Sequence, residues 1–332
     1  MRNNLEVSES PIYFWTGKGF HFALEDYHGL NRYGHPSEAI KAYVEAHKRA
    51  PRVKLPDGWE DEVELLTAML NYYTDVWQVG RPLLKTFWVN GEPQVEVRFE
   101  IDLTPFVSPE VLEASNYDKV IYRGTLDRVV IDGDGRLWIL DYKTAKTFAT
   151  AHFMTDQQIT SYCWAASTIY PGYEIAGFIY QQHRKTIPDE PKLLSTGRLS
   201  TNKQQITSYA VYYKALKQLY GDVNRAPAPN VEYLNYLSSQ ESTDYDAFIR
   251  RDWVERNEHS LQAEGTKILL ELEDMLNPNL PLYPNPTRDC SWDCQLLSVC
   301  VSLDDGSDWE FELNGLTKPR KEEDDSWRQH LP

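Results

Sequence analysis

The sequence predicts a mixed α/β domain with a helical N-terminal lobe, and three observations lead to it. Helical periodicity with acidic first turns runs through "PSEAIKAYVEAHKRA" (36–50) and "DGWEDEVELLTAMLNYYTDVWQV" (58–80). Strand signals then cluster between about 85 and 145, punctuated by Asn90-Gly91 and by the turn "DGDG". A helical stretch, "TDQQITSYCWAASTIY" (155–170), is followed by another strand, "YEIAGFIYQQ". Helices, a β-meander, a crossover helix and a further strand make an α/β core with mixed strand directions.

The elements follow in order. After Gly17 and Gly19, "FHFALEDYH" reads as the start of a first helix. "KTFWVNGEPQVEVRFEIDL" reads as a hairpin, and residues 124–146 as two strands joined by a tight turn. Beyond the basic loop after residue 184, a helix is expected over about 204–220 and helical character across 243–276. The chain closes with a Pro-rich, Cys-containing segment and an acidic stretch.

Composition bounds the class. The 332 residues are 41% hydrophobic and 13% aromatic, the profile of a folded globular chain large enough for a sizeable core. No apolar run of about 18 residues is present, so no membrane-spanning helix is expected. "MRNNLEVSESPIYFW" lacks the apolar segment of a signal peptide, and a cytoplasmic, reducing location is the expectation. The net charge of −16 disfavours nucleic acid as a partner of the whole surface. The charge is uneven, however. Residues 180–217 carry Arg184, Lys185, Lys192, Arg198, Lys203, Lys214 and Lys217 against Asp189 and Glu190, whereas residues 301–332 are strongly acidic. A local basic groove for a polyanion remains compatible with this balance.

The chemistry concentrates in "GTLDRVVIDGDGRLWILDYKTAK". At a two-residue period Asp127, Val129 and Ile131 share one face of the first strand; Leu137, Ile139, Asp141 and Lys143 share one face of the second. The hairpin can bring Asp127 close to Asp141. Two carboxylates side by side repel unless a cation sits between them, and a hard ion such as Mg²⁺ takes oxygen ligands. Lys143 can face the same site, to activate a water or to stabilise phosphate charge. A lone Asp-x-Lys is more often a surface ion pair. The preceding Asp, the turn length and the apolar residues before Asp141 argue for a site.

The stretches "GTLDRVV" and "LWILDYKT" resemble the core of PD-(D/E)XK nucleases, in particular the RecB-like, CRISPR-adaptation-type exonuclease branch. The resemblance implies a restriction-endonuclease-like mixed central β-sheet flanked by helices. It implies Mg²⁺ or Mn²⁺ held by Asp127, Asp141 and the main-chain carbonyl of Tyr142, with Lys143 as the catalytic lysine. "GKGFHFALE" is similar to the branch's upstream motif, with Gly17, Glu25 and His21 as a further metal ligand; "QQITSY" supplies Gln158 and Tyr162, implied to contact DNA. An accessory Glu on the strand before the core is assigned to Glu96, with Glu100 as its rival. The nuclease domain is expected over residues 1–300, with a helical lobe over 30–82, a catalytic core over 84–220, C-terminal helices and Cys segment over 240–300, and an acidic tail over 301–332.

Cys290, Cys294 and Cys300 form C-x3-C-x5-C, and Cys163 lies apart. Clustered thiols in a reducing compartment suggest a metal or iron–sulfur site rather than disulfides. Some RecB-like nucleases hold an iron–sulfur cluster with a similar C-terminal triplet and one earlier Cys. Here the first gap is one residue longer and no Cys precedes the core, so a cluster, a zinc site or a ligand-free remnant all stay open.

The function this reading implies is a divalent-metal-dependent DNA exonuclease acting in recombination, repair or phage DNA metabolism. Its partner is DNA with single-stranded ends. Arg184, Lys185 and Lys192 would meet phosphates, and Tyr180, Tyr209, Tyr212 and Tyr213 would offer stacking surfaces. An endonuclease of the same superfamily and an accessory DNA-binding subunit of a recombination or spacer-acquisition complex are the alternatives.

Overall fold

The computed structural model describes residues 5–7, 11–50, 55–115, 117–280, 287, 290–319 and 326–331. Its centre is a curled six-stranded mixed sheet built from β1 (Lys85–Thr86), β2 (Val95–Asp102), β3 (Ile121–Ile131), β4 (Leu137–Ala145), β5 (Ile175–Arg184) and β6 (Ile249–Glu255). The order is β1-β3-β4-β5-β6, and β2 pairs with β3 beyond β1. β3 and β4 are antiparallel, β4 and β5 parallel, β5 and β6 antiparallel. The parallel pair needs a crossover. It is supplied by helix Gln157–Ile169, whose N-terminal amides of Gln158 and Ile159 are accepted by the Asp156 side chain. This is the mixed sheet flanked by helices that the PD-(D/E)XK resemblance implied.

Each face of the sheet carries a helical layer. Helices α1 (Ile12–His28), α2 (Pro36–Arg49) and α3 (Trp59–Tyr72) bury Phe20, Leu24, Tyr43, Leu66 and Leu70 against Val130, Trp138, Leu140 and Tyr142. The crossover helix, α4, and a later helix, Glu258–Leu276, pack Ile159, Cys163, Leu261 and Ile268 against Val129, Leu137, Ile139 and Phe178. Residues 137–142 are therefore buried on both faces, as a central strand requires. A satellite cluster of Leu199, Tyr212, Leu216, Tyr233, Leu234 and Leu237 organises the segment after β5.

Four local expectations are corrected. The first helix does not start after the glycines but runs through them. A Cβ on Gly19 would stand 3.2 Å from Tyr43, so this glycine lets α1 approach α2 closely rather than breaking the helix. Residues 58–80 hold α3 and then a π-helical turn, Tyr73–Trp77. The stretch 243–276 is not wholly helical, because β6 occupies Ile249–Glu255. Its charged sequence, "IRRDWVE", suits an edge strand and hides the strand signal. β6 closes onto β5 at Gly177, whose φ of +152° and contact with the Val254 carbonyl leave no room for a side chain. Tyr212 is buried and hydrogen-bonded to Asn230, so it is not a stacking surface.

The C-terminal residues fold back. Thr317–Pro319 pair antiparallel with Leu5–Val7. Trp327 is buried among Phe22, Tyr43 and His47 of the N-terminal helices, and Arg328 makes a forked ion pair with Glu25 at 3.0 Å.

Candidate functional site

β3 and β4 pair through Arg128 and Leu140 and then part. The alternation of β3 slips at this point: Leu126, Val129 and Ile131 all lie in the same core. Asp127 therefore does not share a face with Val129 and Ile131 in the simple two-residue sense. Its carboxylate turns into the gap, where Oδ2 accepts the Tyr142 main-chain N–H at 2.7 Å. The main-chain role expected of Tyr142 was its carbonyl; the contact that forms on Asp127 uses its N–H.

Two further side chains arrive from other elements. His21, on the sheet-facing side of α1, places Nδ1 3.4 Å from Asp127 Oδ2 and 3.3 Å from Glu96 Oε1. Glu96 stands opposite Asp127 on β2 with φ at +47°, a left-handed conformation that a non-glycine residue rarely adopts within a strand. Together His21, Glu96 and Asp127 offer ligand atoms all within 4.8 Å of one another. Glu100 is exposed further along β2. Burial acts to lower the His21 pKa, but the Asp127 and Glu96 carboxylates outweigh it and hold the imidazole well above its ordinary value. Burial, with the nearby Asp127 carboxylate, raises Glu96.

Asp141 lies beside this cluster rather than within it. It is almost fully buried at the end of the apolar run of β4, and Lys143 Nζ stands 3.0 Å from Oδ1 and 2.9 Å from Oδ2. Only the first contact has hydrogen-bond geometry, which leaves buried Oδ2 without a hydrogen bond. Burial, reinforced by the charge of Asp127, pushes the Asp141 carboxyl up to about 7 despite Lys143. For Lys143 burial acts downward, yet the Asp141 carboxylate raises its pKa overall. The His21 imidazole and the carboxylates of Glu96, Asp127 and Asp141, the last with an orphaned buried oxygen, make a donor set that suits a hard divalent cation.

On α4, Gln158 Nε2 lies 3.4 Å from Tyr162 Oη, the i, i+4 contact that the spacing implies. Tyr162 reaches the charge field of Asp141 and Lys143. Arg184 pairs in register with Ala145, two residues beyond Lys143, and its guanidinium lies 5.0 Å over Phe148. The Lys185 N–H donates to the Ala145 carbonyl and its amine stands 5.8 Å from the Tyr13 ring. Lys192 is exposed on the following loop. Arg184 and Lys185 thus border the same sheet end as Lys143.

Sequence reasoning missed the neighbours of His21. A cleft of about 350 Å³ opens onto His21 and Glu96 and is lined by Tyr13, Phe14, Lys18 and Arg98, among others. Lys18 precedes His21 by three residues on α1, so the i, i+3 rule was the available signal. Arg98 comes from β2 by tertiary pairing and had none.

Cys163 is buried in α4. Cys290, Cys294 and Cys300 are partly or fully exposed, and among the described residues the three thiols are not gathered into a common tight cluster. Most of the preceding Pro-rich segment, 281–286 and 288–289, lies outside the described residues.

The model of one family, the PD-(D/E)XK nuclease superfamily, matches residues 4–301 of the chain. No curated protein matches it. No helix among the described residues is long and apolar enough to cross a membrane.

Proposed function

Because the chain belongs to the PD-(D/E)XK nuclease superfamily, we propose that it is a divalent-metal-dependent DNA exonuclease of the RecB-like branch. The observation that carries this reading is the approach of His21 on α1 to Asp127 on β3, at 3.4 Å, beside the Asp141–Lys143 pair. Nucleases of this superfamily use divalent metals, and Mg²⁺ or Mn²⁺ suits the oxygen-rich donors here. His21, Glu96, Asp127 and Asp141 would hold the ion, with the Tyr142 carbonyl as a further oxygen. The bound ion would supply Lewis acidity at a phosphate oxygen and lower the pKa of a water.

The chain's own groups do the rest. Lys143 keeps its ammonium form beside Asp141 and presents positive charge where a pentavalent phosphate develops negative charge. The Tyr142 N–H fixes Asp127, so the cluster is held before substrate arrives. Gln158 and Tyr162 position the strand from α4, and Arg184, Lys185 and Lys192 attract its phosphates. The cleft beside His21 adds Lys18, Arg98 and the exposed rings of Tyr13 and Phe14, a combination suited to unpaired bases and their backbone.

The test is digestion of 5′- and 3′-labelled linear single- and double-stranded DNA beside a closed circle, with Mg²⁺ or Mn²⁺. Release of label from linear DNA with the circle intact is the expected outcome. Cutting of the circle would make the protein an endonuclease, and no cutting of any substrate would reject the enzymatic reading.

A further inference from the structure

A second cavity, of about 460 Å³, opens on the face of the sheet that α1 covers. His28 lines it, seven residues after His21 on the same helix and so roughly 10 Å further along the axis. The Tyr142 ring separates the two places, edge-on to His21 at 6.5 Å and stacked on His28 at 6.1 Å. This cavity is therefore not the cleft beside the carboxylate cluster.

Its charge is unlike that of the molecule as a whole. Arg81, Lys85, Arg128 and Arg251 line it and, among the described residues, no carboxylate does, in a chain of net charge −16. Arg128 is 3% exposed and, among the described residues, meets only neutral acceptors. Nε donates to Thr86 Oγ1 at 3.1 Å, Nη1 to Tyr142 Oη at 3.2 Å and Nη2 to the Leu84 carbonyl at 2.5 Å. A guanidinium carries five N–H donors, so two remain uncommitted. Among the described residues no carboxylate stands within 4.0 Å of it. A buried cation without a counter-ion is unfavourable, and an anion in the adjoining cavity would relieve it. Arg251, nearly buried too, directs Nε and Nη2 at Gln181 and reaches Asp244 only at 3.5 Å. Burial and then the Arg128 charge hold His28 well below the ordinary histidine value, as a positive pocket requires.

The remaining walls are aromatic. The π-helical turn delivers Tyr73 and Trp77 as a buried floor, Arg81 lies 3.8 Å over the Trp77 ring and covers it, and the half-exposed Trp88 stands at the mouth as the ring open to a ligand. A wide turn of this kind breaks the regular helix and often marks a functional position. Cations set among flat rings match a phosphate joined to a base.

We propose that this cavity is a second, non-catalytic site that binds a phosphate-bearing nucleotide unit, with the phosphate on Arg128 and Lys85 and the base against the half-exposed Trp88. Free mononucleotide and the terminal nucleotide of a strand share this chemistry. The site is independent of the cleavage reading, since it needs none of the carboxylate cluster.

The full chain in EDTA, where no metal-dependent cleavage interferes, is titrated calorimetrically with 5′-dAMP and with deoxyadenosine. One dAMP per chain is expected, with deoxyadenosine bound about tenfold more weakly or less. Lys85→Glu and Trp88→Ala lie at exposed positions and should each weaken dAMP about tenfold or more while leaving the circular dichroism spectrum unchanged. Arg128→Gln should remove binding, but the two exposed variants keep the test valid if it fails to fold. Short single strands with a 5′-phosphate or a 5′-hydroxyl identify the source. A phosphate-dependent gain lost in Lys85→Glu assigns a strand terminus, and its absence assigns free nucleotide. No dAMP binding, or binding unchanged in both exposed variants, overturns the proposal.

Discussion

Asp127 and Tyr142 are joined by a hydrogen bond that is not part of the β-ladder: Oδ2 of the first accepts the main-chain N–H of the second at 2.7 Å, one residue beyond the last paired rung on β3 and two beyond it on β4. The carboxylate therefore has two tasks, closing the strand gap and facing His21. They separate under substitution. Asp127→Asn keeps an acceptor for Tyr142, so stability should hold within about 1 kcal/mol, whereas Asp127→Ala leaves a buried N–H unpaired and should cost about 1–3 kcal/mol. Both should lose cleavage by about 10²–10³-fold or more. Denaturant melts and turnover with Mg²⁺ or Mn²⁺ check the pair, and near-normal turnover of either variant would reject the role.

Lys143 is the sole cation on Asp141 among the described ion pairs. Lys143→Ala should reduce kcat by about 10²–10³-fold with a smaller change in KM, because the charge it offers matters where the phosphate gains charge. A loss confined to KM would instead assign Lys143 to substrate binding.

His21→Ala removes one of the three clustered ligand groups. The metal concentration for half-maximal activity should rise by about 10–100-fold, in the range seen when groups supporting a metal site are lost. An unchanged metal titration would take His21 out of the site.

The pH dependence of the metal-free protein should have two limbs. Asp141 is raised to about 7 in the fold against its ordinary 3.8. The folded state binds the extra proton, so this contribution is full below 3.8 and is lost as pH rises through 7. Fully buried His183 is lowered to about 3 from 6.5. Its contribution is full above 6.5 and is lost as pH falls from there towards 3. Glu241, raised by burial to about 7 as well, acts in the same direction as Asp141. Asp141→Asn should therefore make the alkaline limb of Tm against pH shallower without removing it, and leave the acid limb. Added Mg²⁺ should raise Tm more at pH 8 than at pH 6, because the ion competes with the Asp141 proton.

Trp327 is buried against Phe22, Tyr43 and His47, in the wall of the cleft that opens onto His21 and Glu96. Trp327→Ala should destabilise the protein by about 3–5 kcal/mol, the usual consequence of emptying an aromatic core site. Urea melts measure it. A loss below about 1 kcal/mol would mean that the C-terminal segment docks only weakly.

The sequence by itself determined the class of the sheet and the pairing of chemistry with strand ends. Asp141 and Lys143 were legible because an apolar run buried on both faces ends abruptly in charge, and the "DGDG" turn placed Asp127 on the neighbouring strand. Gln158 and Tyr162 were legible because i, i+4 spacing is a local property of a helix. The tertiary structure alone decided how these residues meet. The slip in β3 that turns Asp127 into the strand gap, and the left-handed Glu96 that faces His21, arise where two-residue alternation fails, and periodicity is blind to its own exceptions. β6 was hidden because its mixed charges, Arg250, Arg251, Asp252 and Glu255, resemble a solvated helix face. Arg98 and Trp327 carry no local signal of their places. Each is positioned by pairing or packing with residues distant in the chain, and only the folded backbone brings those partners within contact distance.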